Sequence, residues 1–124
     1  MVNVCICGGG SQGHISAGVI GSNPNYNVNV LTRRPEQWAH DFKSIDLEGK
    51  EYRAHIDIIT DNAADIIPKC DIVLVCLPGY ANVSFLETIK EYLSPTTYLG
   101  GVFGGSGFFL AVQKVLGHNV PCFA

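Results

Sequence analysis

The stretch from Val4 to His14, VCICGGGSQGH, decides how the rest of the chain is read. An apolar run leads into glycines at positions 8, 10 and 13, the spacing G-x-G-x-x-G, and a helix-like HISAGVIG follows. Strand, glycine turn and helix in that order form the context in which this spacing binds a dinucleotide. Each glycine has its own task. Gly8 lets the chain turn sharply out of the strand, Gly10 has no Cβ to hold a pyrophosphate off the backbone, and Gly13 lets the helix lie close to the sheet. The unpaired N–H groups and the dipole of the helix N-terminus then face the phosphates. Gly8, Gly9, Gly10, Ser11, Gln12 and Gly13 are the first candidate cofactor-binding residues. His14, in the first helical turn, is a further candidate that could donate to a phosphate, with packing as its alternative role. A merely structural glycine turn is the competing reading of the motif.

The bulk composition agrees with one α/β domain. A chain of 124 residues supports a single domain with a real core, spanning residues 1–124, and is short for a two-domain enzyme. Hydrophobic residues make up 47% and charged ones 15%, so much of each strand is expected to be buried on both faces, as in parallel sheets. The net charge of −3 and a single adjacent basic pair, Arg33-Arg34, argue against a nucleic-acid partner. The opening MVNVCICGGG lacks the basic region and long apolar run of a signal peptide, and no stretch reaches a membrane span of about 18 residues, so a soluble cytoplasmic protein is expected. The five cysteines, Cys5, Cys7, Cys70, Cys76 and Cys122, form no C-x-x-C pair. They read as reduced, core-packed thiols, and no metal site is expected.

Taken in order, strands alternate with helices. Val2–Cys7 is the first strand and residues 13–21 the first helix, with Ile15, Val19 and Ile20 on its inner side, Ala17 and Gly18 allowing close approach, and Gly21, Asn23 and Pro24 stopping it. Val28–Leu31 is the second strand, and a helix opens at Pro35 and buries Trp38 and Phe42 at i, i+4 spacing. Residues 44–60 form a hairpin-like excursion around Glu-Gly-Lys that leads into a third strand. Asp61 caps a short helix that Pro68 closes. Ile72–Leu77, IVLVCL, is a strand covered on both faces. Phe85, Leu86, Ile89 and Leu93 mark a helical stripe. Thr97–Phe103 is the next strand, Phe108–Leu116 a helix, and Asn119–Phe123 the start of one more strand. The fold class is α/β, a Rossmann-type doubly wound, mostly parallel sheet with helices on both faces. The last strand has barely begun at Ala124, which reads as a cut.

In such a sheet the ligand lies across the carboxyl ends of the strands. Thr32-Arg33-Arg34 follows the second strand, where an NAD-selective site offers Asp or Glu to the ribose hydroxyls. A guanidinium there can pair with a 2′-phosphate, so NADP(H) is the preferred cofactor and NAD(H) the alternative. Leu77-Pro78-Gly79-Tyr80 ends the IVLVCL strand beside the inner part of the cofactor; Tyr80 either packs on it or caps the next helix. The glycine-rich GGVFGGSG, with Gly104 and Gly105 as candidates, suits close approach of a flat ring, with a sharp structural turn as the other option. His40, His55 and His118 lie away from the strand ends and read as surface residues. No nucleophile elbow, P-loop or paired carboxylates are present, so no catalytic residue is assigned.

VCICGGGSQGH, LTRRPEQW, CDIVLVCLPGY and LSPTTYLGGVFGGSGF, in this order, resemble the N-terminal half of opine dehydrogenases of the octopine and nopaline type, relatives of ketopantoate reductase and glycerol-3-phosphate dehydrogenase. The resemblance spans essentially the whole chain. It implies an NAD(P)(H)-binding Rossmann domain followed by a mostly helical domain that supplies the catalytic histidine and most substrate contacts. Hydride would pass to the imine formed between a 2-oxo acid and an amino acid, or in reverse. By the same resemblance Gly8, Gly10, Ser11, Gln12 and Gly13 meet the pyrophosphate, Arg33 and Arg34 the adenosine end, and Pro78 and the turn near Gly105 the nicotinamide side. The second domain is absent from these 124 residues, so the partners are the dinucleotide and, through that domain, a small-molecule substrate; oligomeric state is left open. Two rivals are a stand-alone NAD(P)(H) redox sensor without catalysis and a methyltransferase-like domain. The second is disfavoured because VNVCIC carries no acidic residue.

Overall fold

The fold grows from β1 (Val2–Cys7), whose side chains alternate between two buried layers. Cys5 and Cys7 belong to one core cluster and Val4 and Ile6 to the other, the period-two pattern of a strand covered on both faces. The computed structural model describes residues 1–102 and 107–123. Among them β1 is joined by β2 (Tyr26–Leu31), β3 (Asp41–Ile45), β4 (Glu51–Thr60), β5 (Ile72–Val75), β6 (Tyr98–Gly101) and β7 (Cys122–Phe123) in the order β3-β4-β2-β1-β5-β6-β7. All neighbours are parallel except β3 and β4. With β3 set aside, the remaining six strands follow the doubly wound dinucleotide order, and the order reverses at β1. The helices are α1 (Ser11–Gly21), α2 (Asn82–Ile89) and α3 (Phe108–Leu116).

The α/β reading and most strand positions agree with this architecture, and four local expectations do not. The segment after Pro35 is a single 3₁₀ turn, Pro35–Gln37, rather than a helix. Trp38 is already extended (φ −109°, ψ 142°), and Phe42 lies in β3 opposite Ala54. A spacing of four is also an even number, so it places Trp38 and Phe42 on one face of an extended chain as readily as on one face of a helix. Pairing with β4 decides between the two. The hairpin itself is as expected: Asp46 Oδ1 accepts from the N–H groups of Glu48 and Lys50, both at 2.9 Å, and Gly49 takes φ +85°.

The inner side of α1 is a second departure. Ile15 and Val19 face solvent, Ile20 is half-buried, and the buried residues are Gly13, Ala17 and Gly18. β4 and the hairpin stand too close for anything larger. A Cβ on Gly18 would run into the Ser44 side chain, and one on Gly21 would stand 3.0 Å from Ala54 Cβ. Third, the segment after Asp61 forms two 3₁₀ turns, Ala63–Asp65 and Ile67–Lys69, the first capped by Asn62, whose Oδ1 accepts from Ala64 N–H at 3.2 Å. Pro68 sits inside the second turn, where its missing N–H costs nothing, rather than closing a helix. Fourth, the last three strands are shorter than read. β5 stops at Val75, β6 starts at Tyr98 and β7 holds two residues, while Phe103 lies outside the described residues.

One polar residue is built into the sheet. β2 and β4 change register between Val28 and Val30, and buried Asn29 accepts the Ile58 N–H at 3.0 Å through Oδ1. The side chain thereby partners a donor at the register shift.

Candidate functional site

The carboxyl end of β1 runs directly into α1, and the three residues between them do different work. Gly8 holds φ +121°, and its N–H donates to Leu31 O at 3.0 Å. A Cβ on Gly8 would stand 2.5 Å from Cys76 O, so both conformation and space require glycine. A Cβ on Gly9 would stand 2.5 Å from Thr32 Oγ1. A Cβ on Gly13 would strike Gly8 O, which lets the first turn of α1 sit on the glycine turn. Gly10 is different. Nothing lies within 4 Å of where its Cβ would stand, and its φ of −80° is open to any residue. The chain's own packing therefore explains Gly8, Gly9 and Gly13 and leaves Gly10 unexplained.

That open position borders a groove of about 390 Å³. It is lined by Gly10, Ser11 and Gln12 at the start of α1, by Cys76, Leu77, Pro78 and Gly79 after β5, and by Val102 after β6. Gly10 caps α1 without a side-chain hydrogen bond, and no acidic residue occupies the first turn, so the positive end of the helix meets the groove. Thus five of the expected residues from two distant stretches, Ser11, Gln12, Leu77, Pro78 and Gly79, meet across one opening with Gly10. Val102 and Cys76 were not among the expected site residues. Cys76 read as a core thiol, although its place just before Leu77-Pro78 at a strand end was the available signal. Burial raises its pKa, a contact to Ser16 Oγ at 3.9 Å lowers it, and burial prevails, so the thiol is protonated at neutral pH.

The other expected residues among those described do not line this groove. Thr32 is buried, donates its N–H to Thr60 O at 2.9 Å and accepts Arg34 N–H on Oγ1 at 3.3 Å. Arg33 and Arg34 are exposed and, among the described residues, pair with no carboxylate. Tyr80 is 91% exposed, on a 3₁₀ turn, Gly79–Ala81, that precedes α2. His14 stacks on Trp38 with ring centroids 3.7 Å apart and planes 14° from parallel. Its Nδ1 lies 3.1 Å from Gly10 O. A carbonyl only accepts, so Nδ1 is the donor in this contact.

Gly104 and Gly105 lie outside the described residues. In the neighbouring part of that stretch the flat rings that approach the glycines belong to the chain itself. A Cβ on Gly100 would meet the Phe123 ring, and one on Gly101 would stand 2.8 Å from the Phe108 ring. A larger hollow of about 480 Å³ lies on the β3–β4 hairpin between Asp41, Lys43, Arg53 and His55, but no glycine turn or helix end opens onto it. No group of three or more His, Cys, Asp or Glu side chains is placed to hold a metal among the described residues, and no helix there is long and apolar enough to cross a membrane.

Residues 4–122 match the model of the family described as ketopantoate reductase PanE/ApbA. The chain belongs to that family. Among curated proteins, this PanE/ApbA-family chain is 29% identical over 130 residues to opine dehydrogenase of Haliotis discus hannai, covering 93% of this chain and 32% of that protein. It is also 29% identical over 129 residues to tauropine dehydrogenase of Arabella iricolor, covering 94% and 32%. Among solved structures, octopine dehydrogenase with NADH and L-arginine superposes with a TM-score of 0.86 at 25% identity, covering 96% of this chain and 32% of that one. The chain thus spans about a third of the length of these relatives, and its fold is the Rossmann-type α/β fold found in octopine dehydrogenase.

Proposed function

We propose that this chain is the NAD(P)(H)-binding domain of an opine-dehydrogenase-like oxidoreductase. The observation that carries it is Gly10, the one position in the turn from Gly8 to Gly10 where a Cβ meets nothing of the chain's own. Pyrophosphate fits there. The N–H groups of Ser11 and Gln12, with the α1 dipole, would hold its oxygens, and Gly10 would let it approach the backbone. Pro78 and Gly79 would then border the nicotinamide side, and Thr32, Arg33 and Arg34 the adenosine side. When bound, the reduced nicotinamide supplies hydride to an imine or ketone of a small carboxylate substrate. The chain's own part is to orient that ring and to keep water from it. No residue here is assigned proton transfer, and a further helical domain is proposed to bring the substrate and the catalytic groups.

The finer proposal is a preference for NADP(H), with NAD(H) as the weaker ligand, because two exposed guanidinium groups stand where a carboxylate would favour NAD(H). Parallel titrations of the chain with NADPH and NADH, read by calorimetry or nicotinamide fluorescence, test both levels. Tighter NADPH binding that Arg33→Ala with Arg34→Ala reduces by about tenfold or more, while NADH binding is spared, is the expected result. Equal binding of the two would leave the domain assignment and remove the preference.

A further inference from the structure

The arginine loop has no regular secondary structure beyond one 3₁₀ turn, yet it is fastened at both ends. At its start Thr32 Oγ1 accepts the Arg34 N–H, and within it Gln37 N–H donates to Arg34 O at 3.0 Å and Trp38 N–H to Pro35 O at 3.1 Å. At its far end the Trp38 indole is buried, whereas Arg33, Arg34 and Glu36 are exposed. The indole is held by His14 against its face and by Phe42, which lies edge-on to both rings at 6.0 Å and 6.2 Å. The same imidazole is hydrogen-bonded to Gly10 O. An unbroken series of contacts therefore runs from Gly10, through His14 and Trp38, to the loop that carries the arginines.

We propose that the His14–Trp38 stack is the positioning element that fixes the Arg33–Arg34 loop relative to the phosphate-binding turn, and so sets discrimination for an adenosine 2′-phosphate. This rests on the cofactor reading given above. Two long exposed side chains lose much rotamer freedom when they clamp a phosphate. A loop already held at the right distance from the pyrophosphate leaves only that side-chain ordering to be offset, which is the gain from preorganisation. The stack would act without touching the ligand: His14 and Trp38 are positioning residues, and the arginines supply the charge.

The test separates position from charge. Wild type, Trp38→Phe, Trp38→Leu and His14→Leu are titrated with NADPH and NADH, with the thermal midpoint of each variant recorded. Wild type is expected to favour NADPH, and Trp38→Phe, which keeps an aromatic face for His14, to retain the ratio. Trp38→Leu and His14→Leu keep both arginines but are expected to lose about tenfold in NADPH affinity with little change for NADH, the worth of one charge-assisted hydrogen bond. If Trp38→Leu does not fold, the ratio for His14→Leu decides. A wild-type preference for NADPH that survives in His14→Leu would overturn the inference and leave the cofactor reading standing. Equal losses for both nucleotides would overturn it as well, by showing a structural role only. Wild type binding neither nucleotide would overturn both, and that is visible before any variant is measured.

Discussion

The two faces of the sheet are covered by opposite means. On the face of Val4 and Ile6, α1 approaches through Gly13, Ala17 and Gly18, so closely that side chains have no room. On the face of Cys5 and Cys7, α2 and α3 fill volume with Leu86, Ile89, Phe108, Val112 and Val115. On the first face the backbone of α1 rests against side chains of the hairpin and β4, and on the second the helices themselves supply the bulk. The difference follows from what each helix does at its start. α1 must bring its N-terminus up to the strand ends and keep the turn before it open. α3 begins with Phe108 seated against Gly101.

This contrast can be broken experimentally. On the bulky face, Phe108→Ala removes a buried aromatic and is expected to cost about 3–5 kcal/mol, read as a fall in urea midpoint. On the close-packed face the damaging change runs the other way. Gly18→Val drives a side chain into Ser44 and Phe42 and is expected to cost about 1–3 kcal/mol by overpacking. A neutral Gly18→Val would mean that α1 has slack, and the contrast between the faces would fail.

The sequence made the second face easier to read than the first. The bounds of Phe108–Leu116 were legible to the residue, and Phe108, Ala111, Val112 and Val115 are inside, although Phe109 and Leu110 are exposed. The bounds of β1 were legible too. The orientation of α1 was not, since Ile15 and Val19 look like core residues and only the nearness of β4 and the hairpin makes them face out. Trp38 and Phe42 misled through a spacing that fits both a helix and an extended chain, and only the long-range pairing with β4 settles which. At the site, the glycine spacing pointed to Gly8, Gly10 and Gly13 but could not show that only Gly10 is left open. The role of His14 was hidden because its partner Trp38 is 24 residues away in the chain.

A smaller effect sharpens the comparison through pH. Cys5, beside Cys7 with sulfurs 3.7 Å apart, and Cys70 lie under the bulky face, while Cys76 lies on the other. Burial raises the pKa of Cys5 and Cys76, and the neighbouring Cys5 thiol followed by burial raises that of Cys70. Below the ordinary thiol value of 9.0 both folded and unfolded forms are protonated, and these groups leave stability unchanged. Above it the unfolded chain releases protons that the folded chain keeps, so stability falls as pH rises. The urea midpoint is expected to hold from pH 7 to about pH 8.5 and then decline. Replacing Cys5 and Cys70 together with alanine should reduce that decline, and an unaltered slope would show that other groups cause it.

The most direct test of the central claim compares two glycines three residues apart. Gly10→Ala adds a methyl group where nothing lies within 4 Å, and Gly13→Ala adds one against Gly8 O. Thermal midpoint and NADPH affinity would be measured for both. For Gly10→Ala the account predicts a stability change within about 1 kcal/mol, the size of an N-cap effect, together with loss of nucleotide binding. Gly13→Ala is predicted to lower both. If Gly10→Ala bound NADPH as wild type does, the open position would not be where the pyrophosphate lies, and the site reading would be contradicted.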